Sequence, residues 1–329
     1  MAVLAGDIGG THTRLALAEG SEEDIRLQRL EVYPSGDHDS LQSLIETFMD
    51  GEAPTLDAAC FGVAGPVRSG RAHATNLPWI VDAGVLREAL HVPTAVVNDL
   101  EAHAWSVPVL DPDQVVVLKD GTSDPTGHGA VIAPGTGLGE AGLFWDGTKL
   151  LPFPSEGGHT EFAPTNDLER GLQVELASRF GHVSWERVIS GPGLLALHHY
   201  LRGRHPGQGF PACPLESPGN TDPGPEVIPD AARREVCPVC VETMERFCRL
   251  LGAKAGNMAL TFLATRGVWI GGGIAPDILD FLQRGGFQEG FTAKGRLKEL
   301  LDLVPVHVIM DEYAALRGAA RCAFHRRAS

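Results

Sequence analysis

Apolar residues recur along the chain in short runs closed by glycine or polar clusters. Such runs predict buried strands at Ala2–Ile8, Thr13–Ala18, Asp57–Val63, Thr94–Val97, Val115–Leu118, His128–Ala133, Ala141–Trp145, Val268–Ile270 and Val306–Met310. Helical spacing alternates with them. Leu41, Leu44, Ile45 and Phe48 fall at i, i+3, i+4 and i+7 behind Ser40, a favourable N-cap. Leu168, Leu172 and Leu176 share one face of a helix that Asp167 caps and Phe180 ends. Further helices are predicted from Pro192 to about Leu201, from Val239 to Leu263 and from Ala314 to Arg327. In the longest of these, Gly252 and Gly256 leave a smooth stripe for a close neighbour. Strands interleaved with helices predict an α/β chain.

The same pattern divides the chain. Two prolines flank a polar turn between Val107 and Asp113, which places a lobe boundary there. The expected division is a small α/β domain, residues 1–109 plus about 303–329, and a large α+β domain, residues 110–302. Residues 203–230 hold seven prolines and five glycines among 28 positions. That composition excludes a long helix or a central strand and predicts an extended surface insertion.

Composition narrows the function. The 329 residues are enough for a large core, and no long uncharged run predicts a membrane span. The first twenty residues carry Asp7, His12 and Arg14 and lack a basic n-region, so no secretory signal is expected. With 27 basic against 42 acidic residues, the net charge of −15 disfavours nucleic acid and anionic membrane surfaces. Six cysteines do not make a disulfide framework in a chain of this length, and a reducing cytoplasm is expected. Cys237-x-x-Cys240, with Cys248 and with Cys213 in the insertion, lacks the paired spacing of a zinc finger. Buried thiols on a helix are the expectation there.

Candidate chemistry gathers at strand ends. Asn98 and Asp99 stop the Thr94–Val97 strand and open a helix, where open α/β sheets bind ligands and where a helix N-terminus favours a carboxylate. An ionised aspartate there can orient a hydroxyl and accept its proton; an ordinary helix cap is the plainer reading. Gly9-Gly10-Thr11 joins two strands in a turn whose amides can approach an anion, with Asp7 at its mouth suited to a hydrated magnesium ion. Pro134-Gly135-Thr136-Gly137-Leu138-Gly139 is a second such turn, roughly 130 residues on. It opens into a strand, so it is not a dinucleotide fingerprint. Gly157 and Gly158 let Glu156 and His159 converge on one small polar ligand. Gly271-Gly272-Gly273 ends a strand and offers a flat surface for an adenine and ribose. Trp79, in a polar loop, can underlie a sugar ring or simply fill space.

Taken together, GDIGGTHTRLAL (Gly6 to Leu17), FGVAGPV (Phe61 to Val67), TNLPW (Thr75 to Trp79), VNDLEA (Val97 to Ala102), PGTGLGEA (Pro134 to Ala141), EGGHTEFAP (Glu156 to Pro164), GHVSWERVISGPGL (Gly181 to Leu194), GGGIAPDILDFL (Gly271 to Leu282) and F-x-x-K-G-R (Phe291 to Arg296) resemble the bacterial-type glucokinases. These belong to the superfamily of sugar kinases, actin and heat-shock chaperones. The resemblance implies a two-lobed ribonuclease H-like (actin-like ATPase) fold with a cleft between lobes. It implies ATP-dependent phosphorylation of D-glucose to glucose 6-phosphate, at the entry to glycolysis, by a magnesium-dependent cytoplasmic homodimer. It assigns glucose to Asn98, Asp99, Glu156, His159 and Glu186, with Asp99 as general base. It assigns ATP to Gly6, Asp7, Ile8, Gly9, Gly10 and Thr11, beside the second turn (Gly135, Thr136, Gly137) and the glycine surface (Gly272, Gly273). His12 stands where the family typically has Asn, and Asp311-Glu312-Tyr313 replaces a usual His-Asp-Asn stretch. The rival readings are a kinase of another hexose and a non-catalytic sugar-sensing protein. The second usually needs a DNA-binding segment, and with the first strand starting at Ala2 none is expected.

Overall fold

The structure is a computed structural model that describes residues 2–50, 55–205, 213, 215 and 224–327. Two compact units make up the chain: Met1–Val115 with Leu143–Pro154 and Asp311–Ser329, and Val116–Gly142 with Ser155–Met310.

The first eight strands along the chain lie in the first unit: β1 (Ala2–Ile8), β2 (His12–Gly20), β3 (Ile25–Pro34), β4 (Leu56–Val63), β5 (Val67–Arg68), β6 (Arg71–His73), β7 (Ile80–Asp82) and β8 (Thr94–Asn98). Five form one sheet in the order β3-β2-β1-β4-β8, and β5-β6-β7 form a small second sheet. β1 runs parallel to β4, and β4 parallel to β8. Leu4, Ala5, Ala59, Cys60 and Phe61 are fully buried, as expected for strands covered on both faces. On one face the sheet is covered by the helix Leu41–Met49 with Leu44 and Phe48 buried, and on the other by the helix Ala314–Arg327. Ser40 caps the first of these through Ser43 N, as its sequence predicts. β3 is a strand that apolar runs did not announce. Its apolar positions alternate with charged ones, and it lies at the edge of the sheet.

β9 (Val115–Lys119), β10 (Gly129–Pro134), β11 (Leu138–Trp145), β12 (Leu150–Ser155), β13 (Gly267–Ile270) and β14 (Val306–Ile309) form a six-stranded sheet in the order β12-β11-β10-β13-β14-β9. β10, β13 and β14 are parallel neighbours. Each main sheet therefore repeats one plan: a first strand, a glycine turn to the next two strands on one side, and parallel strands on the other. The outer stretch 143–154 groups with the first unit, where Leu151 packs against that unit's core. The hydrophobic pattern had placed that stretch in the large domain.

The long helix runs Pro238–Thr261 and is apolar on most sides, with Met244, Phe247 and Leu251 in the core of the second unit. A Cβ on Gly252 or Gly256 would strike the carbonyls of Phe287 or Phe291, so both glycines admit the helix Gly286–Thr292 at close range. Asn166, not Asp167, caps the helix Asp167–Phe180, by accepting from Glu169 N. Most of the Pro/Gly-rich stretch 203–230 lies outside the described residues. Its end, Val227 onward, is a helix with Ile228 buried, and Cys213 is buried as well, so the expected surface insertion reaches the core at both points. No helix among the described residues is long and apolar enough to cross a membrane.

Candidate active site

β8 runs one residue past the predicted end at Val97, to Asn98, and the helix Asp99–Ser106 follows directly. Asn98 is its N-cap: Oδ1 accepts from Leu100 N at 2.9 Å, and Nδ2 donates to Gly65 O at 2.9 Å. Asp99 Oδ1 also accepts from Leu100 N at 2.9 Å. The plain reading of a helix cap holds for Asn98, and Asp99 occupies the first helical position, half-buried. Gly62 makes room for it. A Cβ at Gly62 would lie 2.8 Å from Ala102 Cβ and 3.7 Å from both Asp99 Cα and Gly6 O. The helix therefore rests on β4, and Asp99 lies over the strand that adjoins β1.

The Gly9-Gly10-Thr11 turn follows β1 at the same end of the sheet. Gly9 N donates to His12 O at 3.0 Å and closes it. Gly6 and Ile8 are buried within β1, so they support the turn while Gly9, Gly10 and Thr11 form its surface. Asp7 is partly exposed and pairs with Arg14 across the hairpin, Nη1 to Oδ2, at 3.1 Å. Burial lowers the His103 imidazole below its usual range, against the opposing charges of Asp7 and Asp311. Trp79 does not face a ligand: it is 2% exposed and its Nε1 donates to His38 O at 3.1 Å. It is core, as the plain reading had it.

In the second unit the two remaining glycine segments meet. Gly135 N donates to Gly137 O at 2.9 Å, closing the turn after β10 in the manner of Gly9. Gly271 N donates to Ile132 O at 2.8 Å, which sets Gly271–Gly273 beside that turn at the ends of the parallel strands β10 and β13. Glu186 ties its own segment to the turn after β10: its Oε2 accepts from Leu138 N at 3.0 Å. Glu186 and Thr136 both line a cavity of about 300 Å³, with Ser190, Gly193 and His199.

Glu156, His159 and Glu186 are brought together as expected. His159 Nε2 lies 3.9 Å from Glu156 Oε2, and Nδ1 lies 3.9 Å from Glu186 Oε1. Glu156 and His159 are more than half exposed, so this triad faces solvent. What positions it is a buried pair that motif reading missed. Lys254 Nζ lies 3.0 Å from Glu140 Oε1, with the two side chains 8% and 2% exposed. Lys254 also donates to Gly157 O at 3.0 Å and reaches Thr160 Oγ1 at 3.4 Å. Burial raises the Glu140 carboxyl above its usual range, while the Lys254 charge pulls the other way. Gly157 and Gly158 lie flat on β11, since Cβ atoms there would strike Glu140 Oε2 and the Leu138 carbonyl. The available signal was a lone lysine inside the apolar run Leu250–Gly256.

The family model described as Glucokinase matches residues 4–326. A glucokinase of Marinobacter nauticus is 38% identical over 323 residues, covering 96% of this chain and 95% of its own. The crystal structure of a glucokinase from an Antarctic psychrotroph superposes with a TM-score of 0.85 at 33% identity, covering 98% and 99% of the two chains. A ROK family glucokinase from Streptomyces griseus, solved in complex with glucose and AMPPNP, superposes at 0.66 with 21% identity over 99% and 100%, a likeness of fold alone. These structures have the actin-like ATPase fold expected from the motifs. With the family match running from the first strand to the last helix, across every motif placed above, the chain belongs to the glucokinase family.

Proposed function

We propose that the chain transfers the γ-phosphoryl group of ATP to the 6-hydroxyl of D-glucose, with Asp99 as general base. Family membership supports the reaction, and the carrying observation is the placement of Asp99. Its carboxylate stands at a helix N-terminus, over a glycine, at the same sheet end as the Gly9–Thr11 turn. A dissociative phosphoryl transfer asks little of the base beyond orientation, so a carboxylate of ordinary acidity suffices. In this reading Asn98, Glu156, His159 and Glu186 accept from and donate to the ring hydroxyls. The amides of Gly9 and Gly135 close their own turns, so phosphate binding is assigned to Gly10, Thr11, Thr136 and Gly137. Gly272 and Gly273 are assigned to the adenosine portion.

The donor set around Asp7 fits a magnesium ion held through water: a partly exposed carboxylate beside an amide-lined turn, with Arg14 engaging Oδ2. Bound with ATP, the ion would neutralise charge on the transferring phosphates. The expected setting is the cytoplasm, at the entry to glycolysis, as a homodimer; the resemblance to the family supports each.

The test is ADP release over a panel of hexoses, with and without magnesium. Glucose is expected to give the highest kcat/KM, and omission of magnesium to abolish turnover. ADP release indifferent to any sugar would refute sugar kinase activity, and a preference for another hexose would reassign the substrate.

A further inference from the structure

Three of the six cysteines converge with a histidine that belongs to none of the motifs above. His198 lies in the helix Gly191–Gly203, Cys237 caps the helix Pro238–Thr261, Cys240 occupies its first turn, and Cys213 comes from the stretch between these helices. All four are 0–1% exposed. Cys213 Sγ lies 3.7 Å from His198 Nε2 and 3.9 Å from Cys240 Sγ, and one ligand atom from each residue lies within 4.8 Å of the others.

These separations discriminate among explanations. A disulfide needs sulfurs about 2.05 Å apart, which 3.9 Å excludes for Cys213 and Cys240 in this state. Around a tetrahedral zinc with Zn–S of about 2.3 Å and Zn–N of about 2.0 Å, the ligand edges are about 3.8 Å between sulfurs and about 3.5 Å between nitrogen and sulfur. The observed edges match both. Simple apolar filling accounts for one buried thiol, but it does not bring three thiols and an imidazole to a common point.

We propose that His198, Cys213, Cys237 and Cys240 bind one structural zinc ion. Four protein ligands and full burial leave no open position for a substrate, so the ion is structural, not catalytic. Three thiolates and one imidazole select zinc over harder cations. The site joins two helices of the second unit to Cys213, and so pins Cys213 to the core. Cys248, eight residues further along the same helix as Cys240, is not part of the cluster. Sequence spacing alone does not announce this site, because His198 and Cys213 come from other segments.

The proposal is independent of the kinase reading, and its test is metal analysis of the full chain. Protein purified under reducing conditions without added chelator is expected to contain about one zinc per chain by mass spectrometry. Replacement by cobalt should give the thiolate-to-cobalt charge-transfer band and the intense visible bands of a tetrahedral site. Cys240→Ser and His198→Ala should lose the metal, whereas Cys248→Ser and Cys322→Ser should retain it. If the first two variants fail to fold, the cobalt spectrum of the wild-type chain still decides. Zinc absent on purification but taken up one per chain after reduction also supports the site. Wild-type protein that binds neither zinc nor cobalt after reduction overturns it, as does full zinc occupancy in Cys240→Ser.

Discussion

The two units share a strand plan but hold their candidate site residues by opposite means. In the first, Asn98 and Asp99 are held at their own helix terminus: the cap bonds to Leu100 N span one or two residues, and Asn98 also reaches Gly65 O. In the second, Glu156 and His159 are exposed, and the turn that carries them is fixed by Lys254, about a hundred residues away, paired with buried Glu140. Local fixing suits a group that must orient one proton. Remote fixing suits a turn that must present several polar groups without strain in any of them. The second arrangement also concentrates risk, because a buried charge that loses its partner is costly.

The contrast has measurable consequences. Asp99→Ala is expected to lower kcat by about 10²- to 10⁴-fold while KM for glucose changes little. A variant that keeps more than a tenth of wild-type turnover removes Asp99 from the chemistry. Lys254→Met should destabilise the protein by about 3–5 kcal/mol in urea unfolding, and adding Glu140→Leu should recover most of that loss. If the single and double variants are equally unstable, the pair is not what supports the turn. Asn98→Ala loses a cap that contributes about 1 kcal/mol, with KM for glucose raised more than kcat is lowered. Equal stability of Asn98→Ala and wild type would show that the first unit does not depend on local fixing.

The smallest effect is a pH dependence within the first unit, away from its site. Burial would raise the Glu22 carboxyl, but hydrogen bonds from Lys149 and His325 and the charge of Arg321 bring it below its usual value of 4.5. Its stabilising contribution is therefore present above about pH 4.5 and is lost as pH falls through the lowered value. Glu22→Gln should flatten that acid limb in thermal melts from pH 6 to 3. An unchanged limb would mean that the Glu22 ion pairs with Arg321 and Lys149, at 3.2 and 3.1 Å, contribute nothing.

Strand runs, the glycine turns, the Asn98–Asp99 cap and the Glu156–His159 turn were legible because each is a local pattern. Backbone preference, a cap and a tight turn are decided within a few residues. By itself, then, the sequence determined the α/β order, the positions of the glycine turns and the acid at residue 99. Tertiary structure alone decided that Trp79 is core, that 143–154 groups with the first unit, that Lys254 underlies the Gly157 turn, and that Cys213 and His198 join Cys237 and Cys240. The physical reason is common to all four. Each depends on groups distant in sequence being buried against one another, and burial has no signature in the spacing of neighbouring residues.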